Sequence, residues 1–145
     1  MNIRRAAATD KQEWLRLRLL LWPEAGSDDL SHEMDAILAD ELTPVFVLER
    51  DGGGLGGFLE AGLRKYAEGC VTAPVGYIEG WFVDADLRGW GFGHQLVRAA
   101  EDWARSRGLH EMASDTWLDN EVSIRAHLAM GYQEVERLIH FARTL

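Results

Sequence analysis

Residues 75–104 read VGYIEGWFVDADLRGWGFGHQLVRAAEDWA, and the order of features in this stretch decides the fold. Val75 to Val83 is rich in β-branched and aromatic residues and reads as a strand. Strict alternation would put Tyr77, Glu79, Trp81 and Val83 on one face, and Ile78, Gly80 and Phe82 on the other. The turn Arg88-Gly89-Trp90-Gly91-Phe92-Gly93 then opens a helix whose apolar stripe is Leu96, Val97, Ala100, Trp103 and Ala104. Gly108 is placed to stop that helix. Glycines between a strand and a helix let backbone N–H groups point inward with no Cβ in the way. The helix start adds partial positive charge. Such a loop cradles a pyrophosphate, or it is simply a tight strand-to-helix turn.

Working outward, a short strand is expected around Ile3. A helix through Leu21 follows, ended by Pro23, with capping-box spacing at Thr9/Gln12 or Asp10/Glu13. A second helix starts near Asp28 and Asp29, and Leu30, Met34, Ile37 and Leu38 share one of its faces. Pro44 to Arg50 reads as a strand, Asp51-Gly52 as a hairpin turn, and Leu55 to Arg64 as the return strand. Beyond the long helix, a short strand is expected near Leu109 to Ala113. A helix capped by Asp119 or Asn120 then stops at Gly131, and one or two strands fall within Gln133 to Arg143. This order is mixed α/β (α+β), and 145 residues suit a single domain spanning 1–145.

Composition limits the partners. The net charge is −9, which argues against nucleic acid and against an anionic membrane surface, both of which select basic faces. Seven acids and no Lys or Arg lie between Glu24 and Glu41. That window is first a solvated helix face, and second a wall for a cationic ligand. Cys70 is the only cysteine, so no internal disulfide forms and a cytoplasmic setting is expected. Met1 to Ala6 carries no apolar run, so no signal peptide is expected there, and the apolar stretch from Trp14 to Trp22 is too short to span a bilayer. His32, His110 and His140 show no ligand spacing, so no metal is expected.

A second glycine loop, Gly52-Gly53-Gly54-Leu55-Gly56-Gly57, formally matches a dinucleotide fingerprint. It is rejected as one. Phe58-Leu59-Glu60-Ala61-Gly62 is no amphipathic helix, and two βαβ halves do not fit in this chain.

Arg88-x-x-Gly91-x-Gly93, after a strand ending at Val83, resembles the acetyl-CoA-binding loop of the Gcn5-related N-acetyltransferase (GNAT) superfamily. Asn120-x-x-Ser123-x-x-x-His127-x-x-x-Gly131-Tyr132 resembles its second motif, with His127 where a Tyr is common. Within the superfamily the chain resembles the small bacterial aminoglycoside 6′-N-acetyltransferases. The matching points are Leu21-Trp22, Lys65-Tyr66, Glu79-Gly80, Ala113-Ser114-Asp115, Leu118-Asp119-Asn120, His127 and the tail around Glu134 and Glu136.

The resemblance implies a central, mostly antiparallel mixed sheet flanked by helices, the acyl-CoA N-acyltransferase fold. It also implies transfer of an acetyl group from acetyl-CoA by direct attack of an amine. Gly89, Trp90, Gly91, Phe92 and Gly93, with Arg88, would hold the pyrophosphate, and His94 would lie beside it. Backbone groups of Phe82 and Val83 would align the pantetheine arm, and Asn120 and Ser123 would touch it from the other side. Trp22, Tyr66, Glu79, Asp115 and Glu136 would meet a polycationic aminoglycoside. Asp115 and then Glu79 are the candidate bases, and His127 the candidate acid. A homodimer, with exchange of the C-terminal strand, is also implied. Two other readings stand beside this one: the same chemistry on another amine, or a non-catalytic acyl-CoA-binding module.

Overall fold

The computed structural model describes all residues from Met1 to Leu145. Five strands form one sheet in the order β1-β2-β3-β4-β5: β1 Asn2–Arg5, β2 Val45–Glu49, β3 Leu55–Arg64, β4 Val75–Val83 and β5 Met112–Ser114. β1 to β4 pair antiparallel, and β5 lies parallel to β4. The helices are α1 Lys11–Leu21, α2 Ser27–Ala39, α3 Phe92–Ser106 and α4 Glu121–Ala129. No helix is long and apolar enough to cross a membrane.

Alternation along β2 and β3 divides the core between the two faces of the sheet. Val45, Val47, Leu55 and Phe58 pack with Trp14, Leu17 and Met34 of α1 and α2. Phe46, Leu59, Ala61 and Ile78 pack against the α3 stripe of Leu96, Val97, Ala100, Trp103 and Ala104, all five of which are buried. Leu96 and Val97, both fully buried, contribute about 1.5–3 kcal/mol each, so α3 is held by its stripe rather than by helix propensity. Gly108 ends the helix with φ +76°, the left-handed conformation that glycine adopts without steric cost.

The polar lock on the opposite face is Glu60. Its carboxylate accepts from Trp14 Nε1 at 2.9 Å and pairs with Arg18 at 2.8 Å, while Arg18 also donates to the Leu30 carbonyl at 2.9 Å. One buried ion pair therefore ties α1, α2 and β3 together.

Four expectations need correction. Strict alternation in β4 fails because Glu60 faces Gly80 while Ala61 faces Ile78, so Glu79 is an extra, bulged residue. Trp81 and Val83 therefore pack with Ile78 on the α3 side, and Tyr77 joins Ala67 and Val75 instead. No strand forms after Tyr132. The tail has apolar residues to offer, but β5, the edge strand of the sheet that precedes it, is only three residues long and takes no further partner. Neither expected capping box forms. Helical structure begins one turn earlier, at Ala8, and the Asp10 carboxylate takes the Ala7 N–H at 2.8 Å. The hairpin turn is also longer than Asp51-Gly52, with left-handed glycines at Gly53 and Gly54.

The rejected glycine run has a steric role. A Cβ on Gly56 would fall 2.2 Å from Leu87 Cδ1, and one on Gly57 would fall 2.8 Å from the Phe82 carbonyl oxygen. These glycines let the segment leading to the 88–93 loop lie down on β3. Arg50 reinforces it by binding Asp84 at 3.0 Å and Asp86 at 2.8 Å, and Arg16 of α1 binds Asp84 at 3.1 Å.

Candidate active site

β4 and β5 pair only over 76–78 and 112–114. Beyond that point they separate, and the bulge at Glu79 turns the remaining half of β4 away from its neighbour. The fork leaves Glu79 to Val83 unpaired on that side and puts the start of α3 at one end of the opening.

Gly89 and Gly91 have φ +82° and +84°, and a Cβ at either would meet nothing within 4 Å. Their glycines are required by backbone conformation, not by crowding, and the space beside them is open. The amides of Phe92, Gly93 and His94 lie in the first turn of a 15-residue helix, where no intrahelical carbonyl is available. Open space, left-handed glycines and free first-turn amides fit the phosphates of a nucleotide-like donor. Gly93 itself packs on the Trp81 indole, where a Cβ would come within 3.0 Å. Arg88 lies back over the Phe82 ring at 5.4 Å and donates through Nε to the Val83 carbonyl at 2.8 Å. Trp90 and His94 are exposed at the loop.

α4 forms the other wall. The Asn120 side chain caps it by accepting from the Ser123 N–H at 3.1 Å, as expected. Gly131 ends it with φ +89°, and Tyr132 then fastens it to α3 by donating to Glu101 at 3.0 Å. His127 stands edge-on to Trp81 and to Tyr132, with ring centroids 5.3 and 5.8 Å away. Its Nδ1 is 2.7 Å from the Ser123 carbonyl oxygen, and its Nε2 is 2.8 Å from Ser114 Oγ. A carbonyl can only accept, so Nδ1 carries a proton, while the Nε2–Ser114 contact can run in either direction because a hydroxyl both donates and accepts.

The carboxylates gather on the other branch. Asp115, just past β5, accepts a hydrogen bond from the Tyr77 hydroxyl. Burial and the Asp115 charge push the Tyr77 phenol well above its ordinary range, so it remains a donor. Glu79 is held at both oxygens by Arg64, at 3.0 and 2.8 Å, and the Arg64 guanidinium lies 3.5 Å from the Tyr77 ring centroid. Trp22 packs on the neighbouring Gly80, where a Cβ would fall 2.6 Å from its ring. Phe58, edge-on at 6.2 Å, and Arg18, 5.0 Å over the ring, fix the indole.

Of the residues expected at an acceptor site, Trp22, Glu79 and Asp115 thus meet around Tyr77 and Gly80. Tyr66 is exposed on the β3–β4 loop, and no hydrogen bond or ion pair joins Glu136 to this group. The tail does cross that loop, since a Cβ on Gly69 would fall 2.6 Å from Val135. Sequence reading missed Arg64, Tyr77 as the partner of Asp115, and Ser114 as the partner of His127. Tyr77 was already placed in the strand beside Glu79. Arg64 becomes visible only with the register, which pairs it with Val75.

Residues 11–132 match the model of the acetyltransferase (GNAT) family. An aminoglycoside N(6′)-acetyltransferase type 1 of Klebsiella aerogenes is 41% identical, over 99% of this chain and 96% of its own length. The solved structure of AAC(6′)-Iy in complex with the bisubstrate analog CoA-S-monomethyl-acetylneamine superposes with a TM-score of 0.93. It is 34% identical and covers 99% of this chain and 98% of its own. The aminoglycoside antibiotic 6′-N-acetyltransferase AAC(6′)-Ih of Acinetobacter baumannii gives a TM-score of 0.92 at 34% identity, over 99% of this chain and 98% of its own.

Proposed function

The chain belongs to the acetyltransferase (GNAT) family, and on that premise we propose that it transfers an acetyl group from acetyl-CoA to the 6′-amino group of aminoglycoside antibiotics. The observation that carries this reading is the fork between β4 and β5. One end is a glycine-lined helix start suited to phosphates, and the other holds two carboxylates, a phenol and an indole suited to a polycation. Full-length relatives named for this activity support it.

Acetyl-CoA supplies an activated thioester, and a thiol with an ordinary pKa near 8.5 is a fair leaving group. The amides of 89–93 and the Arg88 guanidinium would hold the donor's phosphates. Backbone groups of Phe82 and Val83, with Asn120 and Ser123 opposite, would line the path of its arm. Asp115 would orient the acceptor ammonium and take its proton, with Tyr77 keeping the carboxylate in place. Glu79, Trp22, Tyr66 and Glu136 would meet the remaining amines and sugar faces. The freed amine attacks the carbonyl carbon, the oxyanion collapses as the C–S bond breaks to thiolate, and the nitrogen gives its second proton to water to leave the neutral amide. To protonate the thiolate by way of Ser114, His127 would act as an imidazolium: its Nε2–H would pass to the Ser114 oxygen while the Ser114 hydroxyl hydrogen goes to sulfur, leaving a neutral ring. Use of a cytosolic metabolite and a single cysteine support a cytoplasmic setting.

The tail supports a homodimer in which it pairs with a partner's sheet. Val135, Leu138, Ile139 and Phe141 are all exposed on the single chain. Sedimentation reads this directly: a species of twice the mass of 16.3 kDa is expected, and a monomer at all concentrations overturns it.

The test of the activity is release of free CoA with kanamycin-type acceptors. Release that depends on both substrates is expected. Its absence at millimolar acceptor overturns the reading, and acetyl-CoA binding without turnover of any amine would mark a non-catalytic module.

A further inference from the structure

Arg64 is the residue of the candidate site that its chemistry does not use. It closes β3 opposite Val75, and its side chain runs diagonally over the Tyr77 ring to Glu79. Both Glu79 oxygens are taken by the Arg64 fork, at 3.0 and 2.8 Å. A cation stacked on one aromatic face and bound by one carboxylate is what an acceptor ammonium would find there. The position is already filled by the protein itself. The pair is open to solvent, with the two side chains 43% and 41% exposed. Exposed pairs are weakly held, so this one is displaceable.

Resting on the function proposed above, we propose that Arg64 is an internal cationic occupant of the acceptor site, and that it sets specificity by competing with the acceptor for Glu79. An incoming amine must displace a guanidinium that binds at two points and stacks. A polycation, anchored elsewhere by Asp115, can spend one ammonium on that exchange. A monoamine has nothing left over to hold it. Arg64 thus biases the site toward polycationic amines without touching the reacting atoms.

Arg64→Met keeps length and removes charge. The expected result is a KM for a polycationic aminoglycoside lower by roughly 3- to 10-fold, with kcat changed by less than about twofold. A narrowed preference over monoamines should accompany it. Arg64→Lys keeps the charge but loses the fork, and its KM should fall between the two. A KM that rises in Arg64→Met would overturn the proposal and make Arg64 a residue that positions Glu79. A structural role alone would leave one further readout unmoved. In wild-type protein the arginine Nε–H resonance of Arg64 should shift toward that of a free side chain as acceptor is added. A resonance that stays fixed at saturating acceptor also overturns the proposal. If no aminoglycoside is acetylated, the functional reading fails on its own, and the same resonance is followed with a linear triamine as the cationic probe.

Discussion

Glu60 and Glu79 are two carboxylates on adjacent strands, nearly opposite each other at one bulge, and each is held by an arginine. Glu60 faces Gly80 across the β3–β4 pair, and Glu79 is the extra residue beside it. Their pairs have the same chemistry and similar lengths, 2.8 Å to Arg18 and 2.8 Å to Arg64. Their surroundings differ: the Glu60 side chain is 6% exposed and that of Glu79 is 41% exposed. Burial pushes the Glu60 carboxyl up, against the pull of Arg18 and Trp14. The first pair is sealed in place by its environment and the second is exchangeable. Burial, not partner identity, separates a structural lock from a binding group here.

The comparison breaks most easily at Glu60. Glu60→Ala leaves the buried Arg18 with only the exposed Glu33 carboxylate, at 3.1 Å, as its counter-charge and leaves the Trp14 N–H without an acceptor. A loss of about 3–5 kcal/mol is expected in denaturant unfolding. A loss below about 1 kcal/mol would put Glu60 in the same class as Glu79. The variant should also loosen Trp22, because Arg18 lies 5.0 Å over that ring.

Next in size is Asp115→Ala, which removes the carboxylate without burying a charge, since Asp115 is exposed. A fall of about 100-fold in kcat is expected, with acetyl-CoA affinity changed by less than about twofold. Equal loss of both, or loss of neither, would move the base elsewhere.

Particular residues show which parts of this arrangement the sequence could reveal. The α3 stripe, the Gly108 and Gly131 stops, the Asn120 cap and the 88–93 loop were all legible, because each rests on local spacing or local dihedrals. β3 was legible despite Gly56, Gly57 and Gly62, because hydrophobic residues recur between them. The bulge at Glu79 was not, because one extra residue shows only against its partner strand. The faces of Tyr77 and Trp81 were therefore misread together. The tail forms no strand in the single chain for a related reason, since its pattern describes a strand but no pattern names the edge it would join. Arg64 and Ser114 lay outside the candidate set because their roles are contacts with residues distant in sequence.

Asp10 falls between the two extremes. It is buried, yet its partner Arg4 is partly open, and the two are joined at 2.7 and 2.9 Å. Arg4 chiefly, helped by the Ala7 N–H, holds the Asp10 carboxyl below its ordinary value of 3.8. A lowered carboxyl contributes stability above its unfolded pKa and loses it as pH falls through the folded one. Asp10→Asn should therefore cost on the order of 1 kcal/mol at pH 7. That deficit should shrink as the pH is lowered through 4 toward 2, as read by thermal unfolding across the series. A deficit that is constant with pH would mean that the Arg4–Asp10 charge pair contributes nothing beyond packing.

The smallest effect is expected at Glu79, and it is the most informative about the comparison. Glu79→Gln should change stability by less than about 0.5 kcal/mol, because an exposed pair returns little net energy after water and side-chain entropy are counted. Its effect on the acceptor should also be small at first, a KM rise of about threefold. That modesty has a specific cause if Arg64 already occupies the carboxylate. The acceptor then gains from Glu79 only what remains after the guanidinium is displaced. Removing the competitor should expose the rest, so the same Glu79→Gln change made on Arg64→Met should raise KM by about tenfold. In the converse direction, Arg64→Met should do almost nothing once Glu79 is Gln. A non-additive cycle of this form separates exchange at one carboxylate from two independent contacts. Additive effects would return Glu79 to the class of an ordinary surface ion pair.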